Sequence, residues 1–164
     1  MTTKPAANLK RFKSSMQGFR DFAILLEQSD PQSRQMILES AEKEDPRFVE
    51  QAMRRVVYFE ELIYMEETIL AEILSKVSPK VLAFALQDMT EQFKDKLLKQ
   101  LGFREKKLLQ DEQANINRKV STSFVLGARK QILKSARVME SQNKFIFELT
   151  DCPRFRERKS SKTG

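Results

Sequence analysis

An all-α fold built from short amphipathic helices is what this sequence predicts. Three observations predict it: apolar residues recur at helical spacing along most of the chain, only four glycines and five prolines interrupt 164 residues, and three of those prolines directly follow an aspartate or a serine. A cap followed by proline is a helix start. The Asp or Ser oxygen accepts one of the orphan N–H groups of the first turn, and proline at the first helical position gives up a donor that had no partner anyway. Asp30-Pro31, Asp45-Pro46 and Ser78-Pro79 are the three instances, and Thr90 ahead of Glu91 is a fourth cap without the proline.

Each start is followed or preceded by an apolar stripe. Phe12, Met16, Phe19, Ala23 and Leu26 form the first, Met36, Ile37 and Ala41 the second, and Phe48, Ala52, Met53 and Val56 the third. Ile69, Leu70, Ile73, Leu74 and Val77 keep the spacing, as do Val81, Leu82, Ala85, Leu86 and Met89. Phe93, Leu97, Leu98 and Leu101 give the next face, and Phe124, Val125, Ala128, Ile132, Ala136 and Met139 the last long one. Short connections between such helices predict packing as hairpins or as a compact, armadillo-like superhelical stack. After Pro153 the chain ends in a short charged tail, Lys-Ser-Ser-Lys-Thr-Gly, whose composition predicts a disordered basic end.

Composition removes several function classes. No histidine occurs anywhere, so the commonest general base and the commonest transition-metal ligand are missing. Cys152 is the only cysteine, which excludes an intrachain disulfide and a thiolate metal cluster. Glu60, Glu61, Glu66 and Glu67 could approach a divalent cation, but their spacing suits a helix start, where acids are favoured. Catalysis, a metal and a cofactor are therefore not expected. The longest apolar run, Val81-Leu82-Ala83-Phe84-Ala85-Leu86, falls far short of the roughly 18 residues a bilayer span needs. Basic residues at the N-terminus lack the apolar core and cleavage site of a secretory signal, so a cytoplasmic protein is expected.

The net charge of +7 is concentrated at the two ends. Residues 1–20 carry five basic and no acidic side chains and residues 154–164 a net +4, leaving about −2 for residues 21–153. A specific nucleic-acid groove in the fold is not indicated. The basic ends could hold nucleic acid or anionic lipid non-specifically, or simply solubilise the chain.

One segment departs from the pattern. Residues 103–116 read as a helix with only Leu108, Leu109 and Ile116 for an inner stripe, so most of its circumference must face water or a partner. Arg104 and Asp111 stand seven residues apart, which places them about 20° from each other on one outer face, with Glu112 further round toward the inner stripe. A base near the start and two acids near the end oppose the helix dipole. Charge set against local preference suits recognition by a partner, and the alternative is an ordinary solvated face.

The run Val57-Tyr58-Phe59-Glu60-Glu61-Leu62-Ile63-Tyr64-Met65-Glu66-Glu67 resembles the aromatic and acidic signature that opens the C-terminal, torque-generating domain of the bacterial flagellar motor switch protein FliG. The similarity continues through Ile73-Leu74-Ser75-Lys76-Val77, Leu82-Ala83-Phe84-Ala85-Leu86, Lys94-Asp95-Lys96-Leu97 and Leu108-Leu109-Gln110-Asp111-Glu112, then resumes at Ala128-Arg129-Lys130-Gln131-Ile132. Upstream, Ile37-Leu38-Glu39 and Glu44-Asp45-Pro46 are similar to the lead-in of that domain, so the resemblance covers roughly residues 30–142. It implies a truncated or divergent member lacking the N-terminal and most of the middle domain. The implied organisation is N-terminal helices and a helical lead-in over 1–45, the FliG C-terminal-like domain over 46–145, and a short segment with the basic tail over 146–164.

The same resemblance places the torque-helix arginine on Arg104 and the acidic pair on Asp111 and Glu112, with Lys107 on the same helix. The family lysine after an Ala-Leu pair falls on Gln87, so one charge is lost. The arginine beyond the helix is represented by Arg118 or Lys119, and Gly102 replaces the usual serine cap. The implied function is a motor switch or rotor component, acting in motility and chemotaxis. It would grip the cytoplasmic loop of the stator, or other switch-ring proteins, by charge complementarity at the cytoplasmic face of the inner membrane. A FliG-derived scaffold without a motor role is the alternative, and binding of nucleic acid or membrane through the basic ends a third. Self-association and peripheral membrane contact are compatible with all three.

Overall fold

A computed structural model describes residues 9–116 and 119–155 and, among them, contains nine α-helices, two 3-10 turns and no strand. The all-α expectation holds. The chain divides into two compact units, residues 1–57 and 58–164.

The first unit holds α1 (Leu9–Lys13), α2 (Gly18–Gln28), α3 (Pro31–Glu44) and α4 (Pro46–Met53). Leu9, Phe12, Phe22, Ala23, Leu26, Ile37, Ala41, Phe48, Val49, Ala52 and Val56 form its core. Phe22 sits at the centre, with its ring edge-on to Phe12 at 5.3 Å and to Phe48 at 5.7 Å. The turn from α1 into α2 needs a glycine: a Cβ on Gly18 would lie 1.7 Å from the Phe12 carbonyl oxygen, which is backbone and cannot yield. Asp30 and Asp45 cap α3 and α4 through the N–H groups of Ser33 and Phe48, with Lys13 reaching Asp45 at 2.7 Å. Both carboxyls are held below their ordinary range, Asp30 chiefly by the Ser33 N–H and Asp45 chiefly by Lys13. Met16 leaves the stripe expected of it and is fully exposed, because it lies in the turn between α1 and α2 where helical spacing no longer applies. Met36 is also partly exposed, since α3 buries only Ile37 and Ala41.

The division at Val57/Tyr58 differs from the expected boundary at 45/46. The helix that begins at Pro46 packs on α2 and α3, and the Glu27 carboxylate, itself buried, accepts the Val57 N–H at 3.3 Å, so residues 46–57 complete the first unit.

The second unit opens on a 3-10 turn, Phe59–Tyr64, followed by α5 (Glu67–Ser75), α6 (Pro79–Ala85), α7 (Glu91–Leu98), α8 (Phe103–Asn115), α9 (Thr122–Ser141) and a second 3-10 turn, Phe147–Leu149. Ser78 and Thr90 cap α6 and α7 through the N–H groups of Val81 and Phe93, as read from the sequence. The closest packing is between α6 and α8 and between α6 and α9, with α5 also on α9. Consecutive helices are thus not the main partners in this unit; in the first, α1 meets α2 and α3 meets α4, but α2 packs most on α4. The longest helix, α9, buries Val125, Ala128, Ile132, Leu133, Ala136, Arg137, Met139 and Glu140 along one stripe. Phe124 was expected in that stripe, but it is largely exposed and covers Phe84 from outside, ring centroids 6.2 Å apart. Asn143 ends α9 in the left-handed region at φ 61°, where its N–H and that of Lys144 recover the carbonyls of Glu140 and Met139.

The link from α6 to α7 turns at Asp88, φ 60°, an exposed residue in the left-handed region. A short polar side chain tolerates that geometry and a β-branched one does not. Asp88→Val is therefore expected to destabilise the second unit by about 1–2 kcal/mol, read as a lower urea midpoint at unchanged slope.

The C-terminal segment also departs from expectation. Cys152 and Phe155 are each 2% exposed, so ordered packing extends past Pro153. Residues 156–164 of the basic tail lie outside the described residues.

Candidate functional site

The candidate surface is built on α8 and carried by α6. Of the thirteen residues of α8 only Leu109 is buried; Leu108, expected beside it, is 42% exposed, and Ile116 follows the helix in a half-buried position. The reason is angular: with Leu109 facing α6, Leu108 lies about 100° round the helix and turns toward solvent. On the same wheel Lys106 and Gln113 flank Leu109, and both are half-buried. Asp111 lies about 160° from Leu109 and Arg104 about 140°, so these two occupy the side opposite the packing face.

Arg104, Lys107 and Asp111 are all exposed, and Glu112, closer to the packing face, is half-buried. None of the four forms a salt bridge with another described residue. The helix thus brings Arg104, Lys107, Asp111 and Glu112 onto one element, with the first three displayed to solvent. Exposed Phe103 adds an apolar side chain at the start of the helix.

The start itself is unusual. Gly102 occupies the N-cap position with no side chain to cap the helix. Glu105, an acid in the first turn, folds back so that its Oε2 would lie 2.5 Å from a Cβ built on Gly102. Its negative charge stands where the dipole favours it and offsets Arg104. The last turn of α8 carries no base, so the acids Asp111 and Glu112 near that end remain opposed to the dipole.

The other sequence-derived positions are placed differently. Gln87, where the resemblance expects lysine, sits just after α6; its side-chain amide donates back to the Ala83 carbonyl at 3.4 Å instead of projecting outward. Lys119 is exposed in the connection from α8 to α9, and Arg118 lies outside the described residues.

Sequence reasoning missed the residue that fixes this surface in space. Arg129, on α9, donates from Nε to the Ala85 carbonyl at 2.9 Å and from Nη2 to the Gln87 carbonyl at 2.7 Å, and its guanidinium lies 5.4 Å from the Phe59 ring centroid. It satisfies two carbonyls at the open end of α6 and ties α6, the platform of α8, to α9. A basic residue beside a buried stripe was the available signal, but its partners lie 42 and 44 residues away. Among the described residues no group of three or more Cys, Asp or Glu is placed to hold a metal ion, and no helix is long and apolar enough to cross a membrane.

Comparison with known proteins gives one consistent result. The FliG C-terminal domain family matches residues 39–147. Flagellar motor switch protein FliG of Aquifex aeolicus is 28% identical over 129 residues, 79% of this chain and 39% of that protein. FliG of Thermotoga maritima is 23% identical over 84% of this chain and 41% of its own length, and FliG of Borreliella burgdorferi 20% identical over 81% and 38%. The solved structure of full-length FliG from Aquifex aeolicus superposes with a TM-score of 0.51 at 28% identity, over 77% of this chain and 39% of that one. The chain spans about two fifths of the length of these relatives.

Proposed function

Because this chain belongs to the FliG C-terminal domain family, we propose that it is a non-enzymatic component of the flagellar motor switch, working through charge-complementary contact with another protein. The observation that carries this reading is the geometry of α8: one helix, docked through a single fully buried side chain, displaying Arg104 and Asp111 together on its free side. In the proposed contact Arg104 meets acids and Asp111 and Glu112 meet bases on the cytoplasmic loop of the stator or on a neighbouring switch-ring protein. The site of action is the cytoplasmic face of the inner membrane at the flagellar base. Opposed charges of this kind select register and speed encounter more than they add affinity. Each exposed pair contributes only about 0–1 kcal/mol, so single neutralisations are expected to slow swimming modestly.

Reversing both signs turns attraction into repulsion. Arg104→Glu combined with Asp111→Lys is expected to abolish or strongly impair swimming while the helical circular dichroism stays unchanged, because neither side chain is part of the core. Full swimming in that double variant, with the protein present at flagellar bases, would refute the motor reading. A second reading, a FliG-derived cytoplasmic adaptor without a motor role, is favoured by one observation: at Gln87 the family charge is replaced by an amide turned back onto its own helix. It requires normal swimming after deletion of the gene and partners unrelated to flagella in a pull-down.

A further inference from the structure

The family match ends at residue 147, yet the chain beyond it is built into the second unit. Cys152 and Arg154 return to the 3-10 turn that opens that unit and meet there on one carboxylate. Glu61 accepts from Arg154 Nε at 2.9 Å on one oxygen and from Arg154 Nη2 at 2.8 Å on the other, a bidentate pair. The Cys152 thiol donates to the same carboxylate at 3.0 Å, and so does the Tyr58 N–H at 2.8 Å. The Arg154 guanidinium also lies 5.3 Å from the ring centroid of Tyr58 and 4.8 Å from that of Phe155. Cys152 and Phe155 are buried, while Arg154 is half-buried.

Glu61 thus joins residues that lie 91 and 93 positions apart in the chain. Within the described residues the segment it holds is helical at 153–155. A tie made through a part-exposed ion pair opens at lower free energy than helices that share a buried core.

We propose that Glu61, Arg154 and Cys152 form a releasable latch, closing the C-terminal segment over the Phe59–Tyr64 turn and opening without unfolding of the helical core. The electrostatics agree with a closed latch as the resting state. Burial works to raise the Glu61 carboxyl, but Arg154, the Cys152 thiol and the Tyr58 N–H outweigh it and leave it below its ordinary range, so it is ionised near neutral pH. Burial first, and then the Glu61 charge, push the Cys152 thiol up. A protonated, enclosed thiol is both a hydrogen-bond donor and a poor nucleophile.

Cys152 is the only cysteine in the chain, so its alkylation by iodoacetamide, followed by mass spectrometry, reports on the latch alone. In the wild-type protein the rate is expected to be slow and to rise with urea far less steeply than the loss of helical circular dichroism, the mark of a local opening. Arg154→Ala is expected to raise the rate at least about tenfold with the helical signal retained. That variant leaves the Glu61 charge without its Arg154 counterion, which would slow the thiol in a closed segment, so acceleration points to opening. The latch is overturned if wild-type alkylation follows the same urea dependence as the helical signal, which would make the segment part of the cooperative core. Equal rates in wild type and Arg154→Ala would overturn it too. The wild-type urea series decides the question even if the variant folds poorly.

Discussion

Glu140→Ala is expected to destabilise the second unit by about 3–5 kcal/mol. Arg137 and Glu140 form an ion pair at 2.8 Å with side chains 4% and 1% exposed, one helical turn apart on the buried face of α9. Glu140 also accepts the Phe147 N–H at 2.9 Å, and the Arg137 guanidinium lies 4.8 Å from the Phe147 ring centroid. Removing the carboxylate leaves a buried guanidinium without this counterion and deprives a buried backbone N–H of its acceptor. Against a total stability of order 5–15 kcal/mol for a domain, that loss brings the unit close to unfolding at physiological temperature. The double replacement Arg137→Met with Glu140→Leu is expected to recover most of it, because neither half of the pair is then buried without the other and the volume is roughly kept. Urea melts of the two variants check the pair. A loss under about 1 kcal/mol for Glu140→Ala would mean that water reaches the site and screens it.

Leu109→Ala is expected to act on the proposed function through packing. Truncating a fully buried leucine typically costs about 2–5 kcal/mol. In a helix with many buried contacts the loss is shared across the core. Here it falls on the only fully buried side chain that holds α8 against α6. The expected outcome is release of α8 rather than collapse of the unit. Amide exchange should accelerate across 103–115, while α9 keeps its protection. Swimming should be lost as in the double charge reversal, although Arg104, Asp111 and Glu112 are all still present. Unchanged protection of α8 amides would show that the helix does not depend on this contact.

The two variants separate charge from placement. Reversing Arg104 and Asp111 changes what α8 presents and leaves its position alone. Leu109→Ala changes where α8 sits and leaves its charges alone. If swimming needs both, the functional unit is a charged face held in register by its neighbour, which electrostatic recognition requires.

By itself the sequence determined what depends on neighbours within a turn or two. Four helix starts were legible because a cap oxygen and the N–H it accepts are three residues apart, as at Asp30, Asp45, Ser78 and Thr90. The amphipathic stripes were legible for the same reason, and so was the sparse inner face of α8 that set Arg104 and Asp111 outward. Errors arose where that local period stops or a neighbour intervenes: Met16 in a turn, Leu108 one position off the packing line, Phe124 outside the stripe it begins. Tertiary structure alone decided the rest. The unit boundary at Val57/Tyr58, the anchoring of α6 by Arg129 and the closing of residues 150–155 on Glu61 join residues from 30 to 93 positions apart. No spacing rule reaches across such distances; the partner of a charged side chain is chosen by which surfaces the core brings together, and that is fixed only once the helices have packed.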